Sequence, residues 1–347
     1  MHTPPIVIAE LSANHNNNLD IALKSVEAVA ASGANAIKLQ TYKPSCLTLP
    51  SRTEVFRIKD GLWKDRYLWD LYEEASLPWE WHEEIFNLAR SKGLEVFSSP
   101  FSPEGVEFLE RLDCPMYKVA SFEVMHLPLL KAIAATKKPV ILSLGVASDE
   151  EIEKALEILE SAPKKSLLYC ISSYPADLSE ARLCELWRLK DKWGAYGVDI
   201  GLSDHTKGIT VPLVATLCGV SIIEKHFILD RSLGGVDSTF SLDKGELEAL
   251  VKGVKEVCIL RDSLGGLSLP GFLESKNKDR GVKKGREFSR SLFVSKAVKK
   301  GEVISQSCIA CVRPNAGLSP LLLDSIVGQT FSCDLEAYTP LKAHHIE

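Results

Sequence analysis

Short apolar runs rich in β-branched residues recur along the first three quarters of this chain, with helical-period segments between them. The runs are Ile6–Glu10, Ala36–Thr41, Leu94–Ser98, Met116–Ala120, Val140–Leu144, Ser166–Ser172, Val198–Ser203 and Ser221–His226. Helical patterns include Asp20–Ser32, stopped by Gly33, then Trp79–Lys92, Leu127–Thr136, Asp149–Leu159 and Leu178–Trp193. Pro139 and Pro212 fall at element starts, where proline is tolerated. Eight strands alternating with about eight helices over roughly 260 residues predict an α/β fold, a (β/α)8 TIM barrel. A doubly wound open sheet is the alternative.

The pattern changes after Asp262. Gly265-Gly266, Pro270-Gly271 and the charged residues Lys276, Lys278, Asp279, Arg280, Lys283, Lys284 and Arg286 read as a linker. A small region follows with a strand at Ser291–Val294, a turn at Lys299–Glu302 and the segment Arg313–Gly317. The expected organisation is a barrel over 1–265, a linker over 266–287 and a small C-terminal domain over 288–347 that gains stability by docking on another surface.

Composition narrows the class. A net charge of −5 with mixed signs over 347 residues argues against nucleic acid as the main partner. No apolar run is long enough to span a bilayer, and Met1–Pro5 leads into a strand without a signal-peptide pattern. Nine scattered cysteines suit a reducing compartment, so a cytoplasmic protein is expected. Cys308-Ile309-Ala310-Cys311 has C-x-x-C spacing, but no second pair completes a zinc site. His82-Glu83-Glu84 begins like a metalloprotease helix, yet Phe86 stands where the second ligand belongs.

Candidate chemistry gathers at the carboxyl ends of the predicted strands. His205 and His226 close two successive runs, separated by one helix-length segment, Lys207–Cys218. Two imidazoles on adjacent strand ends suit one divalent metal with positions left for substrate and water. The plain alternative is one packed and one solvated histidine. Lys38 and Lys118, among several serine hydroxyls, suit an anionic, oxygen-rich substrate, or else are salt-bridged lysines. A Schiff-base role for Lys118 is a further alternative. Glu10, Glu123 and Asp237 are candidate acid–base or hydroxyl-binding carboxylates, or structural partners of lysine.

These residues fall in segments that resemble the sialic acid synthase family: Ile8-Ala9-Glu10-Leu11-Ser12-Ala13-Asn14-His15, Ile37-Lys38-Leu39-Gln40-Thr41, Tyr117–Glu123, Leu142-Ser143-Leu144-Gly145, Ser203-Asp204-His205-Thr206 and Glu224-Lys225-His226-Phe227. The C-terminal part, with Arg313-Pro314, resembles the antifreeze-like (SAF) domain of that family. The resemblance implies condensation of phosphoenolpyruvate with an N-acylated amino sugar, releasing phosphate. It implies a divalent ion on His205 and His226, Mn²⁺ first, with Mg²⁺ or Co²⁺ as alternatives. Lys38, Ser99, Lys118, Ser121, Ser143, Ser172 and Ser203 would surround phosphoenolpyruvate. Gln40, Tyr174, Glu123 and Asp237 would face the sugar. Arg313 would arrive from the other subunit of a domain-swapped homodimer.

The chain departs from the N-acetylneuraminate synthases at Asn16, where they carry Glu, and Ser172 stands at a family Asn. Leu11–His15, Gly234-Gly235-Val236-Asp237-Ser238 and Phe240-Ser241-Leu242 are most like the pseudaminic acid synthase branch. That branch uses 2,4-diacetamido-2,4,6-trideoxy-L-altrose, and its product suggests use in flagellin or surface-glycan modification. The N-acetylneuraminate and legionaminate synthases are the alternatives within the family. Outside it stand a Schiff-base aldolase and a non-enzymatic sugar- or partner-binding protein.

Overall fold

The apolar runs form β1 Ile6–Glu10, β2 Ala36–Thr41, β3 Glu95–Pro100, β4 Tyr117–Val119, β5 Val140–Ser143, β6 Lys165–Cys170, β7 Asp199–Asp204 and β8 Ile222–His226. The computed structural model describes residues 3–264 and 284–347. All eight strands pair in parallel in chain order, and β1 also pairs with β8, Val7 opposite Ile223. That last pairing closes the sheet into a barrel and removes the open-sheet alternative.

Burial on both faces explains the continuous apolar character of the strands. Val7, Ile37, Val96, Val119, Leu142 and Leu167 are buried, each worth roughly 1.5–3 kcal/mol relative to exposure. Barrel closure is tight at Gly201 on β7, where a Cβ would lie 2.4 Å from Leu168 Cδ2 and 2.8 Å from the Ile222 carbonyl. The surrounding helices carry their own start signals. Asn18 caps Leu19–Ala31, and Ser148 with Glu151 and Asp243 with Glu246 form capping boxes on Asp149–Ile158 and Lys244–Ser263.

Several expected elements differ. The stretch read as Leu178–Trp193 divides into a 3₁₀ turn, Leu178–Glu180, and a helix, Cys184–Trp193. Asp177 caps the turn, and Ala181 leaves helical geometry at ψ 74. The segment Lys207–Cys218 is helical only over Thr210–Leu217. A helix at Pro103–Glu110, started by Ser102 and Pro103, fills the gap between β3 and β4.

In the C-terminal domain, strands β9 (Ser291–Val294) and β10 (Ile309–Val312) pair antiparallel. Leu292, Val294, Ile304, Cys308, Phe331 and Leu341 fill its core, so Cys308 is packing rather than half of a metal site. A second apolar cluster joins the domains: Tyr42, Leu47, Phe56, Leu68 and Tyr72 from the β2–β3 insertion pack with Phe101, Phe293 and Val312. The expected linker, 266–287, lies outside the described residues up to 283. Among the described residues, no helix is long and apolar enough to cross a membrane.

Candidate active site

Strand alternation decides which side chains meet inside the barrel mouth. Lys38 and Gln40 share one face of β2, Ser203 and His205 one face at the end of β7, and Glu224 and His226 one face of β8. They converge with Glu10, Ser99, Lys118, Ser121, Ser143 and Tyr174 around a cavity of about 60 Å³. Lys225, between two inward residues, points the other way. Its ammonium is fully buried, donates to Asp204 Oδ2 at 2.5 Å and also meets the Thr206 carbonyl. This pair ties the ends of β7 and β8 together behind the two histidines.

Four opposed charges form the floor. Lys38 is ion-paired with Glu10, lies 3.6 Å from Glu224 Oε2 and donates to Ser99 Oγ at 3.2 Å. Lys118 donates to Glu224 Oε1 at 2.6 Å, and Ser203 Oγ donates to the same oxygen at 2.9 Å. Burial opposes ionisation of Glu224, but Lys118 and Lys38 outweigh it and hold the carboxyl far below its ordinary value. Burial also disfavours the Lys38 ammonium, yet Glu10 and Glu224 raise its pKa on balance. At Lys118 burial wins, with Lys38 adding repulsion, and the pKa falls. Ser143 Oγ is buried with no hydrogen-bond partner, a donor held ready for a ligand. Ser121 and Ser172 Oγ lie 3.0 Å apart at the next strand ends.

The histidines sit in an aromatic surround. Their ring centroids are 5.4 Å apart, with Tyr174 4.5 Å from His205 and Phe240 4.9 Å from His226. His205 Nδ1 bonds the Ile171 carbonyl at 2.8 Å. A carbonyl only accepts, so Nδ1 carries the proton and Nε2 keeps its lone pair. Burial, then the neighbouring His226, push the His205 pKa down to about 3, so the ring is neutral, the state a metal ligand requires. His226 Nδ1 is buried without a hydrogen-bond partner, 3.6 Å from Asp237 Oδ2. His205 and His226, facing one cavity from adjacent strand ends, would hold a divalent ion there. Among the described residues, no group of three His, Cys, Asp or Glu side chains is assembled for a metal.

A second cavity of about 130 Å³ adjoins the first and shares Gln40, Tyr174 and His226 with it. Its polar rail runs from Gln40 Nε2 to Ser12 Oγ (3.0 Å) and from Ser12 Oγ to Asp237 Oδ2 (2.5 Å). Tyr42, Trp63, Tyr72, Phe101, Phe122 and Phe288 supply apolar walls, and Arg313 closes one side. Polar contacts beside aromatic faces suit a partly acylated sugar.

Two expectations need correction. Glu123 lines neither cavity: it is fully buried and its Oε1 accepts from Arg313 Nη2 at 2.5 Å, Arg313 Nε at 3.1 Å and Arg290 Nε at 3.3 Å. Two guanidiniums occupy the carboxylate, so it anchors Arg313 rather than facing a sugar. Arg313 reaches this carboxylate from the end of β10. Its backbone N–H donates to the Leu47 carbonyl at 2.8 Å, and its Nη1 to Tyr72 Oη at 3.1 Å. Ser172 stands beside the first cavity, bonded to Ser121, rather than lining it. The other expected site residues line one cavity or both.

Glu224, Trp63, Tyr72 and Arg290 carry contacts that motif reading left without a role. For Glu224 the signal was present: it lies two residues before His226 on one strand and therefore points the same way. Trp63 and Tyr72 belong to an insertion with no strand-end pattern to mark them.

A closed parallel barrel whose mouth combines a buried lysine pair, two cavity-facing imidazoles and a polar-aromatic annex is an enzyme architecture suited to joining an anion to a polar carbonyl compound. The NeuB family pattern matches residues 25–264, and the SAF domain pattern matches residues 289–347. The chain is 44% identical over 349 residues to the pseudaminic acid synthase of Helicobacter pylori, covering 100% of this chain and 99% of that protein. It is 33% identical over 330 residues to the N,N'-diacetyllegionaminic acid synthase of Campylobacter jejuni, covering 93% and 95%. The crystal structure of the spore coat polysaccharide biosynthesis protein SpsE of Bacillus subtilis superposes with a TM-score of 0.82 at 28% identity, covering 99% of this chain and 96% of that one. The chain belongs to the NeuB family of sialic acid synthases, with a SAF domain after the barrel.

Proposed function

We propose that this enzyme is a pseudaminic acid synthase. It condenses phosphoenolpyruvate with 2,4-diacetamido-2,4,6-trideoxy-L-altrose and water, giving pseudaminic acid and inorganic phosphate. The observation that carries the reading is identity of 44% along the whole length of the Helicobacter pylori pseudaminic acid synthase, against 33% with the diacetyllegionaminic acid synthase.

Lys118, Lys38 and Ser143 bind the phosphate and carboxylate of phosphoenolpyruvate in the lysine cavity, fixing its C3 carbon toward the annex. The sugar lies along Gln40, Ser12 and Asp237, with Arg313 and Phe288 at its acyl groups. C3 attacks the aldehyde carbon and forms the new C–C bond. Water adds at C2, and phosphate departs with its bridging oxygen as the C2–O bond breaks. The lysines stabilise the anionic charge through both stages. His205 and His226 hold a divalent ion, Mn²⁺ first with Mg²⁺ or Co²⁺ as alternatives, which supplies Lewis-acid polarisation of an oxygen when bound.

The remaining assignments belong to the same proposal: a cytoplasmic, domain-swapped homodimer in which the Arg313–Glu123 contact forms between chains, and a product destined for flagellin or surface-glycan modification. A swap exchanges identical contacts, so the chemistry at Glu123 is the same in either arrangement. The test is phosphate release from phosphoenolpyruvate with Mn²⁺, offering the altrose derivative and N-acetylmannosamine in parallel. Turnover of the altrose derivative alone is expected; turnover of N-acetylmannosamine alone overturns the substrate. Run in ¹⁸O water, label in the released phosphate overturns C–O cleavage. Borohydride trapping of Lys118 would instead reveal a Schiff-base aldolase.

A further inference from the structure

Asp237 enters the annex from a loop that burial does little to hold. Between β8 and the helix Lys244–Ser263 the chain passes Arg231, Ser232, Leu233 and Gly235, all exposed. It turns through Gly234 at φ +67 and Gly235 at φ +116. Within the loop, Ser238 Oγ donates to the Gly235 carbonyl at 3.0 Å and Ser241 Oγ to the Asp237 carbonyl at 2.7 Å, and three side chains from outside it add four hydrogen bonds. Ser12 Oγ donates to Asp237 Oδ2, Trp63 Nε1 donates to the Val236 carbonyl at 3.1 Å, and Asn16 Nδ2 donates to the carbonyls of Leu233 at 3.1 Å and Gly234 at 3.2 Å. Ser12 and Trp63 line the annex themselves; Asn16 lines neither cavity and acts from behind the loop.

The fit between Asn16 and the loop is steric as well as polar. A Cβ at Gly235 would lie 2.3 Å from Asn16 Oδ1, whereas a Cβ at Gly234 meets nothing within 4 Å. The Asn16 amide therefore occupies the space a side chain at 235 would need. Asn16 itself is left-handed at φ +47, a conformation Asn and Asp tolerate better than most residues. Any loop shift is passed to Asp237 within two residues, and from there to the Gln40–Ser12–Asp237 rail.

We propose that Asn16 is a positioning residue for Asp237, and that the Asn16–Gly235 contact sets which amino sugars the annex accepts. The specificity half rests on the function proposed above; the positioning half does not. Asn16→Asp tests it most cleanly, because it keeps size and left-handed tolerance but replaces the amide donor with an oxygen facing two carbonyls. Hydrogen exchange over residues 231–240 of the ligand-free, full-length protein is expected to quicken in Asn16→Asp and Asn16→Ala. KM for the amino sugar is expected to rise about tenfold, the effect of one displaced hydrogen bond, with KM for phosphoenolpyruvate held within about twofold. Losses from Asn16→Ala and Gly235→Ala should be non-additive, and those from Asn16→Ala and Gly234→Ala closer to additive.

Unchanged exchange in both Asn16 variants overturns the positioning role, whatever the substrate. Faster exchange with unaltered sugar KM, or an equal rise in both KM values, overturns the specificity role. Should the wild type turn over neither sugar, the substrate reading fails, while the exchange result still decides the positioning role.

Discussion

Glu123→Gln isolates what holds the C-terminal domain on the barrel. Glu123 is fully buried on the barrel side, while Arg290 and Arg313, 4% and 7% exposed, both come from the C-terminal domain. Arg290 also donates to the carbonyls of Cys311 at 2.8 Å and Phe101 at 3.0 Å, so its guanidinium stays partnered when the charge is removed. Arg313 keeps Tyr72 but loses its charged acceptor. Deleting one partner of a buried ion pair costs about 3–5 kcal/mol. Glutamine retains an acceptor oxygen, which brings the expected loss to about 2–3 kcal/mol, because charge-assisted bonds are worth roughly twice neutral ones. Since the partners belong to different domains, the loss falls on docking and weakens it up to about a hundredfold. Urea unfolding followed by near- and far-ultraviolet circular dichroism, alongside KM for both substrates, reads the effect. The C-terminal domain should release at lower urea than the barrel, and sugar KM should rise while phosphoenolpyruvate KM holds. An unmoved single transition with wild-type sugar KM would refute the anchoring role.

Ser143→Ala removes a buried hydroxyl that has no partner in the ligand-free protein. It should leave stability unchanged or slightly raised, since an unsatisfied polar group is lost, yet raise phosphoenolpyruvate KM several-fold; a clear drop in melting temperature would show a structural role instead. Acid should destabilise the fold through buried histidines. Burial lowers His15 and His82 from 6.5 to about 4, so the unfolded chain takes up protons first. Their contribution is complete above about pH 6.5 and is lost as pH falls toward 4, about 3 kcal/mol for each at ~1.4 kcal/mol per unit. Urea midpoints from pH 7.5 to 4.5 should therefore fall, less steeply in a folded His82→Gln variant; parallel slopes in the two proteins would reject the assignment. Saturating Mn²⁺ should raise the melting temperature of the wild type and not of His205→Gln, and an equal rise in both would place the ion elsewhere.

The barrel was legible because its strands are buried on both faces and so read as unbroken apolar runs, while Gly33 and Pro139 marked element boundaries. The mouth was legible because strand ends concentrate polar residues there. What escaped has a common physical origin in contacts made across the fold. Glu123 looked like a sugar-facing carboxylate because nothing in its neighbourhood along the chain announces Arg290 and Arg313. Asn16 stood out as a departure from the N-acetylneuraminate synthases and Gly234–Ser238 as a likeness to one branch, and only the fold shows the amide of Asn16 filling the space beside Gly235. Trp63 lies in an insertion whose place over the mouth is set by packing against Phe293 and Val312.

The charged floor also assigns different parts to two lysines that look alike in sequence. An ammonium carries three donors. Lys38 directs its own toward Glu10, Glu224 and Ser99, so its position is fixed and its charge is largely met before any substrate arrives. Lys118 meets Glu224, which leaves donors for an incoming oxyanion. Its lowered pKa has the same origin: it is buried as deeply as Lys38 but shares one carboxylate with it instead of having Glu10 to itself. Glu224 thus holds both ammonium groups in place between β2 and β4 while neutralising neither completely. Lys118 therefore keeps unused donors at the barrel mouth, which the proposed phosphoenolpyruvate site would use.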